Sequence, residues 1–167
     1  MFKKILLLIA VLLPMSAFAQ KFAVVDIQAV MDAMPEVAAA QTQLEAANQQ
    51  LKSELDKIQA EVQKLYNEYQ TIAEDPNTPQ SIKERRMSEI NEKAAKAEQF
   101  REQAQQDLMQ QNQQLMAPIQ AKMIDAIKAV GQEGGYTAVM PKDDGLFLYM
   151  GSDMLDVTIA VKAKLGI

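Results

Sequence analysis

One helical pattern dominates this 167-residue chain. Apolar residues recur at helical spacing from Glu36 to Val130, and a single turn-forming segment, Asp75-Pro76-Asn77-Thr78-Pro79, interrupts them. At 1.5 Å per residue, the roughly 40 residues before the break and 50 after it would form helices about 60 to 75 Å long. The sequence therefore predicts a two-helix hairpin with its tip near residues 75–79. Such a hairpin is too elongated to enclose a globular core by itself.

The first helix carries a heptad repeat along one face. The apolar positions of this seam are Val37, Leu44, Leu51, Leu55, Ile58, Val62, Leu65, Tyr69 and Ile72. Gln41 and Asn48 occupy two further positions where an apolar residue is expected. Polar residues at such positions either set the register of a coiled coil or line a wet surface, and both interpretations stay open. The seam is thus predicted to be weak at the start of the helix and strong toward the tip.

The returning helix has a complementary face. Thr78-Pro79 and the pair Ser81 and Glu84 predict its start as an N-cap, a first-turn proline and a capping box. Its predicted seam comprises Met87, Ile90, Ala94, Ala97, Ala104, Leu108 and Leu115. The small alanines favour close approach of the helices, so we predict an antiparallel coiled coil. Four large residues fall beside or off this seam: Tyr66, Phe100, Met109 and Met116. They contact either the other helix or other subunits, or a bound partner, and both interpretations stay open.

The two ends of the chain predict a small β-rich body, residues 20–34 and 119–167, attached to a hairpin arm, residues 35–118. The fold class is therefore α+β and predominantly α. Pro118 predicts a kink or break where arm and body meet, because its ring removes one helical hydrogen bond. A body of about 64 residues is marginally stable alone, which favours oligomerisation.

Three strands and a closing helix are expected in this body. The predicted strands are Lys21–Ile27, Tyr136–Met140 and Leu146–Met150, the last two forming a hairpin around residues 142–145. A short helix is predicted after Asp156-Val157-Thr158. The candidate residues for oligomer contacts are Phe22, Val24, Val25, Ile27, Val139, Leu146 and Leu148.

Residues 1–19 have the features of a cleaved signal peptide. Lys3 and Lys4 precede the apolar run Ile5–Leu13, and Ala17-Phe18-Ala19 forms the cleavage motif. We therefore expect an exported mature chain that begins at Gln20. The chain has no cysteine for a lipid anchor or a disulfide, which favours the bacterial periplasm as its compartment.

Composition argues against nucleic-acid binding and catalysis. Loss of residues 1–19 removes two lysines and no acid, leaving 15 basic residues against 22 acidic ones and a net charge near −7. Without His, Cys or Trp, the chain lacks the usual general base, the thiol nucleophile and the commonest metal ligands. We predict no enzyme, cofactor, metal or catalytic residue. The acidic pairs Glu74-Asp75 and Asp143-Asp144 stand beside turns, where carboxylates accept backbone hydrogen bonds.

The order of these features resembles the Skp, or OmpH-like, family of periplasmic chaperones. The export signal is followed by KFAVVDIQAVM and Pro35-Glu36, then by the hairpin, Pro118-Ile119, the segment GYTAV, and Asp156 with Thr158 before the closing helix. The resemblance covers the whole mature chain. It implies a jellyfish-like homotrimer whose helical arms surround a cavity that holds unfolded outer-membrane proteins without ATP. Tyr66, Phe100, Met109 and Met116 would then contact the client.

Charge separates this chain from the best-known members of that family, which are strongly basic. Residues 61–100 hold six basic side chains against eight acidic ones. This balance argues against binding to an anionic membrane surface. The alternative function is a structural coiled-coil adaptor or spacer of the cell envelope, which would bind one defined partner through its tips.

Overall fold

The computed structural model describes residues 21–143, 145 and 149–167, so the predicted signal peptide lies outside the described residues. The elements, in chain order, are β1 (Phe22–Val25), α1 (Ile27–Ala33), α2 (Pro35–Glu74), α3 (Gln80–Gly134), β2 (Ala138–Pro141), β3 (Leu155–Asp156) and α4 (Thr158–Leu165). Helix accounts for most of these residues and the strands form one small sheet. The predicted α+β, predominantly α fold class is confirmed.

The chain divides into two compact units. Glu36–Ile119 forms the first, which we call the hairpin unit, and the described residues up to Pro35 form the second, the body unit, together with Gln120–Ile167. Pro35 is the first residue of α2, as expected for a residue whose missing N–H is no loss in the first turn.

The two long helices of the hairpin unit run antiparallel. Helix α2 has 40 residues and α3 has 55. Near the turn, Lys83 Nζ donates to the Ala73 carbonyl at 2.8 Å. Farther from it, Lys93 pairs with Glu61 at 2.5 Å. Both contacts join residues that lie at similar distances before and after the turn, as in an antiparallel pair of helices. The predicted hairpin is therefore confirmed.

Helix α3 continues through Pro118 without a break. The sequence predicted a kink or break at this residue, and a break is not formed. Proline removes one N–H from the helical ladder and its ring crowds the preceding turn, and packing of the neighbouring residues can outweigh both costs. Ile119 and Met123, which follow the proline, are buried, at 7% and 5% exposure. Their burial favours a continuous helix.

Strand β1 forms the centre of the sheet, whose order is β2-β1-β3. Both neighbours are parallel to it, with Phe22 opposite Ala138 and Ala23 opposite Leu155. The β1 residues Ala23, Val24 and Val25 are all buried. This uninterrupted apolar run is typical of a central parallel strand that is covered on both faces.

The second half of the predicted C-terminal hairpin differs from the structure. Strand β2 overlaps the predicted strand Tyr136–Met140 but pairs with β1 in parallel. Tyr149 and Met150 lie outside regular secondary structure, while Asp144 and 146–148 lie outside the described residues. The third strand observed is β3, which sequence reasoning missed because two residues show no periodicity.

Helix ends in the body unit are capped by specific hydrogen bonds. The Asp26 carboxylate accepts from the Ala29 N–H at 2.8 Å and caps the N-terminus of α1. Helix α3 ends where Gly135 adopts a φ of +63°, and there Tyr136 N donates to the Gly131 carbonyl at 3.0 Å. Helix α4 is confirmed and ends before Gly166, which has a φ of +78°. The buried core of this unit comprises Ala23, Val24, Val25, Val30, Met34, Met123, Ala126, Val130, Val157 and Val161.

Candidate functional site

The hairpin unit leaves large apolar side chains in contact with solvent. Tyr66 is 43% exposed and Met109 is 63% exposed. Phe100 and Met116 are half-buried. The four candidate contact residues are therefore spread along both helices and offer separate contact points rather than one enclosed pocket.

Phe100 lines a groove between α2 and α3 of about 200 Å³. The groove is lined by Asn48, Leu51, Lys52 and Leu55 from α2 and by Phe100, Arg101, Ala104, Gln105 and Leu108 from α3. Leu51, Leu55 and Leu108 belong to the predicted seam, whereas Phe100 was expected beside it. Phe100 is thus half-buried and also lines the groove.

A second groove of about 210 Å³ adjoins the first along the same helix pair. It shares Leu55 and Arg101 with the first and is otherwise lined by Gln59, Val62, Gln63, Ala94, Ala97 and Glu98. Alanines on α3 leave this space open because a methyl group cannot fill it. We call the two together the interhelical groove. Its residues come from several turns of both helices. The heptad pattern predicts that the two helices pack together, but it does not show the space left between them.

Charged side chains of the hairpin unit pair mainly with one another. The hydrogen bond from Lys93 is the largest cause that lowers the pKa of Glu61. The hydrogen bond with Glu98 likewise raises the pKa of Arg101. Near the turn, Lys83 also donates to the Asp75 carbonyl at 3.0 Å, and Arg86 pairs with Glu89 at 2.7 Å. The basic residues that follow the tip, Lys83, Arg85 and Arg86, thus have partners within the hairpin and do not form an unopposed positive patch.

Family membership follows from the sequence comparison. Residues 21–165 match the family described as Outer membrane protein (OmpH-like). The chain belongs to the OmpH-like family. The resemblance drawn from the sequence is therefore confirmed.

A solved structure shares the fold of this OmpH-like chain. It is the crystal structure of a candidate outer membrane chaperone (OmpH-like) from Caulobacter crescentus CB15. The two align with a TM-score of 0.72 and 16% identity, over 87% of this chain and 83% of that chain. No curated protein matches the sequence.

Carboxylates near the turns of this OmpH-like chain have structural partners. Asp75 accepts from the Asn77 N–H at 2.9 Å and from the Thr78 hydroxyl at 3.2 Å. The first of these bonds is the largest cause that lowers the pKa of Asp75. The Thr78 hydroxyl therefore stabilises the turn, where sequence had predicted an N-cap for α3. Asp143 accepts from the Gly145 N–H at 2.9 Å, so one carboxylate of each acidic pair, Asp75 and Asp143, accepts a hydrogen bond within a turn.

Across 21–143, 145 and 149–167, no group of three or more His, Cys, Asp or Glu side chains could hold a metal ion. Among the helices described, none is long and apolar enough to cross a membrane.

The candidate oligomer contacts differ in how much surface they expose. Val24 and Val25 are buried at 2% and 1%, whereas Phe22 is 38% exposed. Ile27 and Val139 are half-buried, and Leu146 and Leu148 lie outside the described residues. Sequence reasoning missed other exposed apolar residues of the body unit, namely Ile124, Tyr149, Leu155 and Ile159. Each is a single exposed apolar residue in a helix, a strand or a loop, and a single residue gives no periodic signal in the sequence.

Proposed function

We propose that this OmpH-like protein is an ATP-independent periplasmic holdase chaperone. It binds unfolded outer-membrane proteins in a cavity between the helical arms of a homotrimer and prevents their aggregation. The observation that carries the proposal is a hairpin unit that keeps aromatic and thioether side chains exposed in a chain of the OmpH-like family. The solved relative from Caulobacter crescentus carries the name of a candidate outer membrane chaperone, which supports the same role.

The physical requirement for such a client is weak and distributed contact. An unfolded outer-membrane strand alternates apolar and polar residues and aggregates in water before insertion. Exposed side chains such as Met109 and Tyr66 lower that risk by covering apolar client surface. Burial of apolar surface is favourable by itself, so holding a client in this way requires no nucleotide. Methionine suits this work because its side chain is flexible and polarizable.

Trimer formation is assigned to the predicted β-rich body, residues 20–34 and 119–167. Its large apolar residues that remain exposed, including Leu155 and Ile159, provide surface that a contact between subunits would bury. The periplasmic location rests on the signal peptide expected at residues 1–19. Acidic charge argues against lipid contact by the arms, and pairing of the basic residues near the tip agrees with that argument.

Dilution of a urea-unfolded porin tests the holdase role. Purified mature protein, added before dilution, is expected to suppress light scattering at a stoichiometry near one trimer per porin. A helical protein of equal mass serves as the control. Equal scattering with and without the protein would reject the holdase and favour an envelope adaptor that binds one defined partner.

Sedimentation velocity tests the assembly separately. At micromolar concentration the expected species has the mass of three chains. A monomer at that concentration would contradict a cavity enclosed by several arms.

A further inference from the structure

We propose that the interhelical groove binds one extended strand of an unfolded polypeptide, with apolar side chains at alternate positions and carboxylates between them. The inference rests on the proposed holdase role and assigns the place and chemistry of one client contact. It concerns residues of the hairpin unit alone, so it does not depend on the number of arms in the assembly.

The groove has the length of a short strand. On α2 its lining extends from Asn48 to Gln63, which at 1.5 Å per residue spans about 22 Å. An extended chain rises about 3.3 Å per residue, so roughly seven residues fit along it. Three or four of those residues would direct side chains toward the groove.

The floor and the margins of the groove suit different parts of such a strand. Leu51, Leu55, Val62, Phe100 and Leu108 supply apolar surface for the alternate side chains. The remaining lining includes four amide side chains: Asn48, Gln59, Gln63 and Gln105.

Amide margins distinguish an extended occupant from a helical one. A side-chain amide both donates and accepts hydrogen bonds, as does the backbone of an extended chain. A helix satisfies its backbone internally and presents no such groups along its length. Hydrogen bonds from these amides to the client backbone do not depend on the client's side chains. This part of the contact would therefore be independent of client sequence, as a holdase requires.

Charge selects among extended strands. Although the protein is acidic overall, the Phe100 end of the groove is lined by Lys52 and Arg101 and by no carboxylate. Lys52 forms no ion pair with any residue that the structure describes. Arg101 is paired with Glu98, which lines the adjoining half. A client carboxylate can therefore pair with Lys52, whereas Glu98, the carboxylate that lines the groove, is already paired with Arg101 and is less available to a client ammonium group.

Two labelled peptides of about 11 residues test the proposal by fluorescence anisotropy. Both alternate the same apolar residues, with Glu at the polar positions of one and Lys at those of the other. We expect the Glu peptide to bind roughly tenfold more tightly than the Lys peptide, although the protein carries a net negative charge. Equal affinity, or preference for the Lys peptide, would overturn the charge argument.

Matched variants test the location. Ala104→Phe fills the groove without removing a side chain that packs there, and Ala95→Phe places the same ring on an exposed position of α3 outside the lining. We expect at least a tenfold loss of Glu-peptide affinity for the first and less than twofold for the second. Equal affinities would overturn the proposal. Circular dichroism checks that both variants fold.

Charge reversal gives a second variant that leaves the packing intact. Lys52→Glu is expected to abolish the preference for the Glu peptide, while Lys96→Glu, at an exposed residue outside the groove, keeps it. Retained preference in Lys52→Glu would overturn the assignment even if Ala104→Phe failed to fold.

The porin assay separates failure of this inference from failure of the holdase role. If the wild type suppresses scattering and Ala104→Phe does so equally well, the holdase stands and the groove is rejected as a client site. If the wild type leaves porin aggregation unchanged but binds the Glu peptide through the groove, the strand site stands without the holdase.

Discussion

The body unit and the hairpin unit of this protein bury apolar residues to different depths. In the body unit, Val24, Val30 and Val161 are 0–2% exposed. In the hairpin unit, Val37 is buried, but the following seam residues of α2, from Leu44 to Ile72, are half-buried. Two helices cover only one side of each other, whereas sheet and helices cover both faces of β1. The body is thus held by a closed core, and the hairpin keeps apolar surface available for contact.

Among these changes, a buried charge should lower the stability of the body unit most. Val24→Asp places a carboxylate among apolar neighbours, and such burial without a partner costs about 4 kcal/mol or more. Urea denaturation should show loss of most of the body's stability. Ala33→Asp, at an exposed position of α1, serves as the matched control and should change stability by about 0.5 kcal/mol or less. Similar losses in both variants would mean that β1 is not the centre of the core.

Amide exchange compares the two units directly. We expect backbone amides near the turn, around Ile72 and Ile82, to exchange roughly a hundredfold faster than those of Val24 and Val25. Half-buried packing opposes local opening less than a closed core does. Hydrogen exchange read by mass spectrometry on the intact protein provides the measurement. Amides at the turn that exchange as slowly as those of β1 would contradict the difference in packing between the two units.

Gly131, within α3, and Gly135, which follows its last residue, should respond oppositely to alanine. Gly135 has a φ of +63°, so Gly135→Ala should destabilise the body unit by about 1 kcal/mol. Gly131 lies within the helix, and a Cβ there would meet Val139 at an ordinary 3.5 Å. Gly131→Ala should therefore stabilise the unit by about 0.5 to 1 kcal/mol. Thermal unfolding gives the change in melting temperature of each variant. Changes of the same sign in both would contradict a helix that ends between Gly131 and Gly135.

Acid should weaken one polar contact of the body unit. The hydrogen bond from Lys142 at 2.8 Å, followed by those from the Thr158 hydroxyl and N–H, lowers the pKa of Asp156 from 3.8 to about 2. A lowered pKa stabilises the fold above the unfolded value, and this stabilisation is lost as pH falls from about 5 toward 2. Since the carboxylate side chain is 42% exposed, screening reduces the effect to about 1 kcal/mol.

Asp156→Asn isolates that contribution. The variant should be about 1 kcal/mol less stable than the wild type at pH 6, and the difference should fall below half at pH 2.5. Urea denaturation at both pH values measures it, and the other carboxyl groups cancel because both proteins contain them. A difference that is independent of pH would show that ionisation of Asp156 contributes nothing.

Local pattern explains which parts of the fold were predictable. The hairpin follows from a heptad repeat and one proline-containing turn, each legible within a few residues. The closing helix α4 follows from a short apolar stretch that ends at Gly166. The parallel sheet was not predictable in the same way, since β1 pairs with segments near the opposite end of the chain. No local signal distinguishes that pairing from a C-terminal hairpin.

The sequence by itself determined the antiparallel hairpin, the apolar strand β1, the acidic charge and the family, because periodicity, turn residues and composition are local properties. It also predicted Tyr66 and Met109 as residues beside the seam, and both are exposed. Only the tertiary structure decided the partners of β1, the continuity of α3 through Pro118 and the interhelical groove. Each of these depends on which side chains meet across elements distant in sequence, such as Leu55 and Arg101. Packing at such distances outweighs the local preference of any single residue.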